Sequence, residues 1–430
     1  MHVVIIGNSA AGLSALEAFR QRDSAARVTV VSAEGGAPYS RVLLPYYLRG
    51  RIPESGLFIR PEGYYEQLGA QTVFGEVVEL VDTRSRRIAL ARGGSIPYDR
   101  LLVATGSRAS APPIEGLEGP GVQGFWTLDD ALRLDRDLRP GARLMVLGAG
   151  FVALQAAWAA HQRGAEVTVV ELEGRILPRV LDEEAARLLR THIEKTGVRV
   201  VTSVCIAGVE RACGELCCTA DDADTYQADF VIVATGVRPN DAVLPEAVSG
   251  HGPGLSVRAT METTVDGVFA AGDVARAPLS GGADGVLALW PVAVAQGRVA
   301  GANLAGAGLE YDGGLNGNVT EMFGATVASV GRFDEGAGER VVILRDLQGV
   351  EYLKVVLDGD VPVGAVYVGD QGAVRLLGRL SPFIRHGRPL GDVRAFFEER
   401  SFPGAGSAAP RFPRHVAHEE ETRGEAVCAS

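Results

Sequence analysis

The chain of 430 residues carries 42 Lys and Arg against 53 Asp and Glu, a formal charge of −11, and has no basic tract, which argues against a nucleic-acid or anionic-membrane partner. Its length exceeds what one compact core organises, so two or three domains are expected. No run of about 20 apolar residues is present, so no transmembrane helix is expected. The start, MHVVIIGNSAAG, lacks a charged leader and a small-residue cleavage site, and it does not read as a signal peptide. The five cysteines are Cys205, Cys213, Cys217, Cys218 and Cys428. Four of them cluster with no distant partner group, so the expectation is a reducing, cytoplasmic location without a disulfide framework.

Along the chain, His2–Ile6 is an apolar, β-branched run that reads as a buried parallel strand. Gly7, Ser9, Ala10, Ala11 and Gly12 form a tight turn, Leu13–Gln21 has helical spacing, and Val28–Val31 is the next strand, leading to Ser32 and Glu34. Leu101–Gly106 closes the unit with a strand ending Ala104, Thr105, Gly106. The same order then recurs. Arg143–Leu147 is a strand, Gly148, Gly150, Phe151 and Val152 lie in the turn, Val152–Arg163 is a helix that carries Gln155, and Val167–Val170 is a strand ending at Glu171. Val231–Gly236 closes the second copy with Ala234, Thr235, Gly236.

One glycine turn of this kind is a weak signal, whereas two, each in a βαβ context, specify two dinucleotide sites. The first Gly permits the sharp turn, the second position lets backbone approach a pyrophosphate, and the third lets helix pack against strand. The helix N-terminus then presents unpaired N–H groups and a positive dipole end to phosphate. Ser9 replaces the middle Gly of the first copy and adds a hydroxyl donor. Glu171 stands where a carboxylate accepts both ribose hydroxyls and repels a 2′-phosphate, which favours NAD over NADP.

With both copies in place the chain resembles the FAD-dependent pyridine nucleotide oxidoreductases, in the branch of rubredoxin reductases and nitrite reductase flavoproteins. The most specific piece is Thr264–Asp273, TVDGVFAAGD, followed by Pro38–Leu48, PYSRVLLPYYL. The resemblance implies that Gly272 and Asp273 meet the ribityl chain of FAD, that Arg41 lies near its pyrophosphate or flavin, and that Trp290 and Pro291 head a helix facing the pyrimidine end. Tyr46 and Tyr47 fall where relatives line the flavin, although core packing explains them equally well. The implied fold is α/β, with two Rossmann-like dinucleotide-binding domains, the NAD domain inserted in the FAD domain, and a small α+β C-terminal domain. The implied boundaries are 1–110 and 240–312 for FAD, 111–239 for NAD and 313–402 for an interface domain on the flavin side or a dimer surface. The tail, 403–430, is expected to be flexible.

Departures narrow the chemistry. One-cysteine relatives carry their nucleophile where this chain has Val42, no cysteine precedes Cys205, and His386 is followed by Gly387 rather than Pro. Thiol–disulfide relay at the flavin is therefore not expected. A metal at Cys213, Cys217 and Cys218 is not expected either, because no His is near to complete a tetrahedral set. Many relatives have Glu at Gln155, near the nicotinamide carboxamide. The resemblance implies FAD and NAD(H) as cofactors. It also implies hydride exchange between them and single-electron exchange with an iron–sulfur or similar redox protein, in a hetero-oligomeric complex like those of phenylglyoxylate dehydrogenase or the tungsten aldehyde oxidoreductases. The alternatives are a stand-alone NADH:rubredoxin or ferredoxin reductase or NADH oxidase, and a flavin-binding structural or redox-sensing subunit.

Overall fold

The computed structural model describes residues 1–212, 214–221, 223–245, 252–345, 351–369, 374–398 and 421–423. The chain divides into two compact units: Met1–Ser110, Trp126–Ala131 and Gly236–Gly314 form the first, and Ala111–Phe125, Leu132–Thr235 and Leu315–Ser430 the second.

The first unit is built on a five-stranded parallel sheet in the order Val268–Ala270, Arg100–Val103, His2–Ile6, Arg27–Ser32, Ala70–Phe74. Val3, Val4 and Ile5 are fully buried, as expected of a strand covered on both faces. Helix Ala10–Arg20 starts three residues earlier than its periodicity predicts, because its first turn is made of small residues that carry no hydrophobic stripe. It packs on helix Trp290–Leu304, where Gly297 and Gly301 lie four residues apart on one face. A Cβ at either would sit 2.3 Å from Ala11 O or 2.2 Å from Ala15 O, so the two backbones touch and no side chain separates them.

The second unit repeats the plan with parallel strands in the order Arg199–Val201, Glu166–Val170, Arg143–Leu147, Phe230–Val233, Val122–Gly124. The cysteine-bearing segment is a three-stranded antiparallel sheet, Ile206–Ala212, Glu215–Ala220 and Thr225–Ala228. Beyond it lies an antiparallel sheet in the order Gly317–Met322, Ala325–Gly331, Val361–Gly369, Tyr352–Asp358, Arg340–Arg345, Glu421–Arg423. Leu353, Val355 and Leu357 alternate onto the face that packs with Leu377 and Leu380 of helix Val374–His386. Tyr352 and Lys354 point to the other face, where the Tyr352 hydroxyl donates to Asp182 Oδ2 at 2.6 Å and Lys354 Nζ lies 2.7 Å from Glu335 and 3.4 Å from Asp182. Asp182 also caps helix Glu183–Glu194 through Ala185 N at 2.9 Å. Of the tail expected to be flexible, all but Glu421–Arg423 lies outside the described residues, as do Cys213 and Cys428. No described helix is long and apolar enough to cross a membrane.

Candidate functional site

In the first unit the turn after His2–Ile6 is as tight as its glycines suggest. Gly7 has φ +121°, and a Cβ there would lie 2.0 Å from Ala104 O; one at Gly12 would lie 2.1 Å from Gly7 O. Any side chain would break the turn. Ser9 is the extended N-cap of helix Ala10–Arg20, yet its hydroxyl caps nothing, so the first-turn N–H groups lack a side-chain acceptor. Ala10, Ala11 and Gly12 fill that turn. Ala104, Thr105 and Gly106 follow the strand Arg100–Val103. Thr105 Oγ1 donates to Asn240 O at 2.8 Å and Asn240 Nδ2 returns to Thr105 O at 3.0 Å, so Asn240 fixes this loop.

Asp273 follows Gly272 and is partly buried. Its Oδ2 accepts from the Ser107 hydroxyl at 2.7 Å. Burial pushes its carboxyl above the ordinary range, opposed by the Ser107 hydroxyl and the charge of Arg41. A carboxylate with one hydroxyl partner has acceptor capacity left for the hydroxyls of a ligand. Gly272 N donates to the buried Gln296 Oε1 at 2.8 Å, which sets the turn leading into Asp273. Trp290 and Pro291 open helix Trp290–Leu304, and Trp290 packs against the core.

Around Arg41 the structure assembles more than the motif shows. Glu34 pairs with the Arg41 guanidinium and accepts from the Tyr39 hydroxyl, which itself accepts from Leu128 N at 3.0 Å. Burial raises the Tyr39 phenol pKa, so it stays a donor. Ser32 ends its strand buried. Arg41 Nη1 donates to Trp126 O at 2.8 Å. Tyr46 and Tyr47 are half-buried in helix Leu44–Leu48, whose core anchors are Leu44 and Leu48. Ser107, Trp126, Asn240 and Gln296 all escape the motifs, because each is brought in by long-range folding and no local spacing marks it.

The second unit shows the same turn with different polar partners. Gly148 has φ +99°, and a Cβ there would sit 2.6 Å from Ala234 O, while Gly150 faces open space as the N-cap of helix Phe151–Gln162. Val152 lies in the first turn of that helix. Thr235 and Gly236 follow the strand Phe230–Val233 and Ala234. Glu171 is 8% exposed; its Oε2 accepts from Ala149 N at 2.6 Å and its Oε1 from Glu173 N at 3.0 Å. The carboxylate is thus held rigidly behind the glycine turn. Arg175, four residues beyond Glu171, donates to Leu181 O and Pro178 O, each at 3.2 Å. Gln155 Nε2 donates to Thr320 Oγ1 at 2.8 Å and Glu321 O at 2.7 Å, while its buried Oε1 has no partner. Strand Gly317–Met322 therefore meets the helix after the second glycine turn.

Cys217 and Cys218 are neighbours on one strand, so their side chains face opposite ways. Cys218 is fully buried and its thiol pKa is pushed up to about 11. Two such thiols cannot converge on one metal, and among the described residues no group of three or more His, Cys, Asp or Glu could hold one.

The two turns and their bare helix ends fit two dinucleotides, and comparison with known proteins agrees. Residues 1–297 match the family described as pyridine nucleotide-disulphide oxidoreductase. The chain is 31% identical over 366 residues to the epsilon subunit of NADH-dependent phenylglyoxylate dehydrogenase from Aromatoleum evansii, covering 85% of this chain and 87% of that one. It is 32% identical over 385 residues to the ferredoxin–NAD(+) reductase component of the anthranilate 1,2-dioxygenase system of Burkholderia cepacia, covering 87% and 93%. An NAD-dependent persulfide reductase structure from A. fulgidus superposes with a TM-score of 0.83 at 28% identity, covering 90% of this chain and 77% of that one. The chain belongs to the pyridine nucleotide-disulphide oxidoreductase family and is an FAD-dependent NADH:acceptor oxidoreductase.

Proposed function

We propose that this chain is the flavoprotein component of an electron-transfer system, exchanging hydride with NAD(H) and single electrons with an iron–sulfur protein or subunit. FAD, when bound, supplies the step between a two-electron hydride and one-electron acceptors. The observation that carries this reading is the missing thiol: the first unit contains no cysteine at all. Val42, where one-cysteine relatives carry their nucleophile, is an exposed apolar side chain next to Arg41. Chemistry at the flavin thus has no covalent thiol route in this chain. The Aromatoleum subunit and the Burkholderia reductase component, by their names, serve larger NAD-linked electron-transfer systems, which supports the same reading.

Residues 1–110 and 240–312, joined by the re-entrant Trp126–Ala131, bind FAD, the rest of 111–239 binds NAD(H), and 313–402 form an interface domain. Gly7, Ser9, Ala10, Ala11 and Gly12 present bare backbone N–H groups to the pyrophosphate of FAD, and Ser32 and Glu34 close its ribose end. Arg41 neutralises phosphate charge, Ala104, Thr105 and Gly106 line the loop beside it, and Gly272 with Asp273 receives the ribityl hydroxyls. The helix end at Trp290 and Pro291 offers its dipole to negative charge at the pyrimidine. For NAD(H), Gly148, Gly150, Phe151 and Val152 present the second helix end, and Ala234, Thr235 and Gly236 border it. Glu171 accepts the ribose hydroxyls and disfavours NADPH, and Gln155 offers its unpartnered Oε1 to an amide N–H.

The test is affinity purification of the full chain from its native cells with flavin and mass-spectrometric analysis. The expected result is bound FAD and a co-purifying cluster-bearing protein. NADH-reducible FAD with no partner would assign the stand-alone reductase or oxidase instead, and FAD that NADH does not reduce would assign a structural or sensing role.

A further inference from the structure

We infer that Trp126 is a positioning residue of the FAD site, whose ring and backbone hold Arg41 and whose indole N–H holds strand Ser107–Ala109, which carries the Asp273 partner. Trp126 lies where the chain re-enters the first unit. Its own backbone is locked locally, because Trp126 N and Thr127 N both donate to Asp130 Oδ2, at 3.0 and 2.9 Å, and Asp130 is buried. From that fixed base three contacts reach out. The indole Nε1–H donates to Ser107 O at 2.9 Å, and the Ser107 hydroxyl in turn donates to Asp273 Oδ2 at 2.7 Å. The Trp126 carbonyl accepts from Arg41 Nη1 at 2.8 Å. The guanidinium carbon of Arg41 stands 5.4 Å from the Trp126 ring centroid and 5.8 Å from that of Tyr39, within cation–π range.

An arginine free in solution samples many rotamers, and ordering it on binding costs affinity. Here Glu34, Trp126 O and two aromatic rings fix it beforehand, and the remaining N–H donors of its fork stay available to an anion. The same residue links the cation on one side of the site to the carboxylate on the other. This inference rests on the assignment of the first unit to FAD.

The experiment titrates apoprotein of the full chain with FAD, comparing wild type, Trp126→Phe, Trp126→Leu, Arg41→Gln and the Trp126→Leu/Arg41→Gln double variant, with Trp158→Phe in the second unit as control. Trp126→Phe keeps a ring and loses the N–H, so FAD affinity should fall about 5–10-fold. Trp126→Leu should lose more, and its effect should shrink in the Arg41→Gln background, as expected for a residue acting through Arg41. Trp158→Phe should bind as wild type does. Unchanged affinity in both Trp126 variants, or equal Trp126→Leu effects with and without Arg41, would overturn the inference. Wild-type protein that takes up no FAD would instead remove the FAD assignment itself.

Discussion

The two glycine turns have one backbone plan and opposite polar arrangements. In the second, Glu171 turns back onto its own turn and takes the Ala149 and Glu173 N–H groups, so its carboxylate is a fixed wall. In the first, Ser32 fills that strand-end position, and the nearby carboxylate, Glu34, is drawn away to Arg41 and Tyr39. The third turn position differs too: a Cβ at Gly12 would collide with Gly7 O at 2.1 Å, whereas the second copy has Ala153 there, fully buried. The second helix therefore stands off its turn by enough for a methyl group. One fold gives two different polar environments because it fixes the glycine turn and leaves the strand end free to vary.

The largest effect should come from the turns themselves. Gly7→Ala combines φ +121° with a 2.0 Å backbone collision, whereas Gly148→Ala meets Ala234 O at 2.6 Å. Thermal unfolding should show Gly7→Ala destabilised by about 3 kcal/mol or more, with FAD lost, and Gly148→Ala affected less. Equal destabilisation would mean the two turns are not graded as their geometry indicates.

Next comes Asp273→Ala. Removing the carboxylate that accepts from Ser107 should weaken FAD binding about 10–100-fold, the range for a charge-assisted hydrogen bond. Equilibrium dialysis of apoprotein reads this directly, and undiminished binding would take Asp273 out of the site.

A smaller effect belongs to the second strand end. In stopped-flow reduction at limiting dinucleotide, wild type should use NADH far faster than NADPH, and Glu171→Gln should narrow that preference about 10-fold. A preference indifferent to Glu171 would leave the contrast between the two turns without functional meaning.

The smallest effect lies in the C-terminal sheet. The Lys354 ammonium holds the Glu335 carboxyl below its ordinary range. A depressed carboxyl contributes stability that is present above its unfolded-state value and is lost as pH falls through its folded-state value. Melting curves from neutral to acid pH should therefore show Glu335→Gln less stable than wild type at neutral pH, with the two converging in acid. A difference that stays constant with pH would exclude this source.

Much of this was legible in the sequence where the signal is local. The strands around Gly7 and Gly148, and the runs ending Ala104-Thr105-Gly106 and Ala234-Thr235-Gly236, each carry their apolar run and glycine within a few consecutive residues, so local spacing marks them. The start of helix Ala10–Arg20 was missed because alanine and glycine carry no periodicity. Trp126 was illegible for a different reason: it meets Arg41 across 85 positions, after the whole Ala111–Phe125 excursion into the second unit. Gln155 falls where relatives meet the nicotinamide carboxamide, and its donors are held by Thr320 and Glu321, a pairing 165 positions apart that no motif encodes.

On the proposed function, electrons leave the flavin without a thiol. The most direct measurement is NADH-driven turnover by a variant in which Cys205, Cys213, Cys217, Cys218 and Cys428 are all replaced by Ser, with a viologen as one-electron acceptor and with glutathione or coenzyme A disulfide. Viologen reduction should run at close to the wild-type rate, with no disulfide reduction by either protein. Robust disulfide reduction by the cysteine-free variant, or loss of viologen turnover with the cysteines, would contradict it.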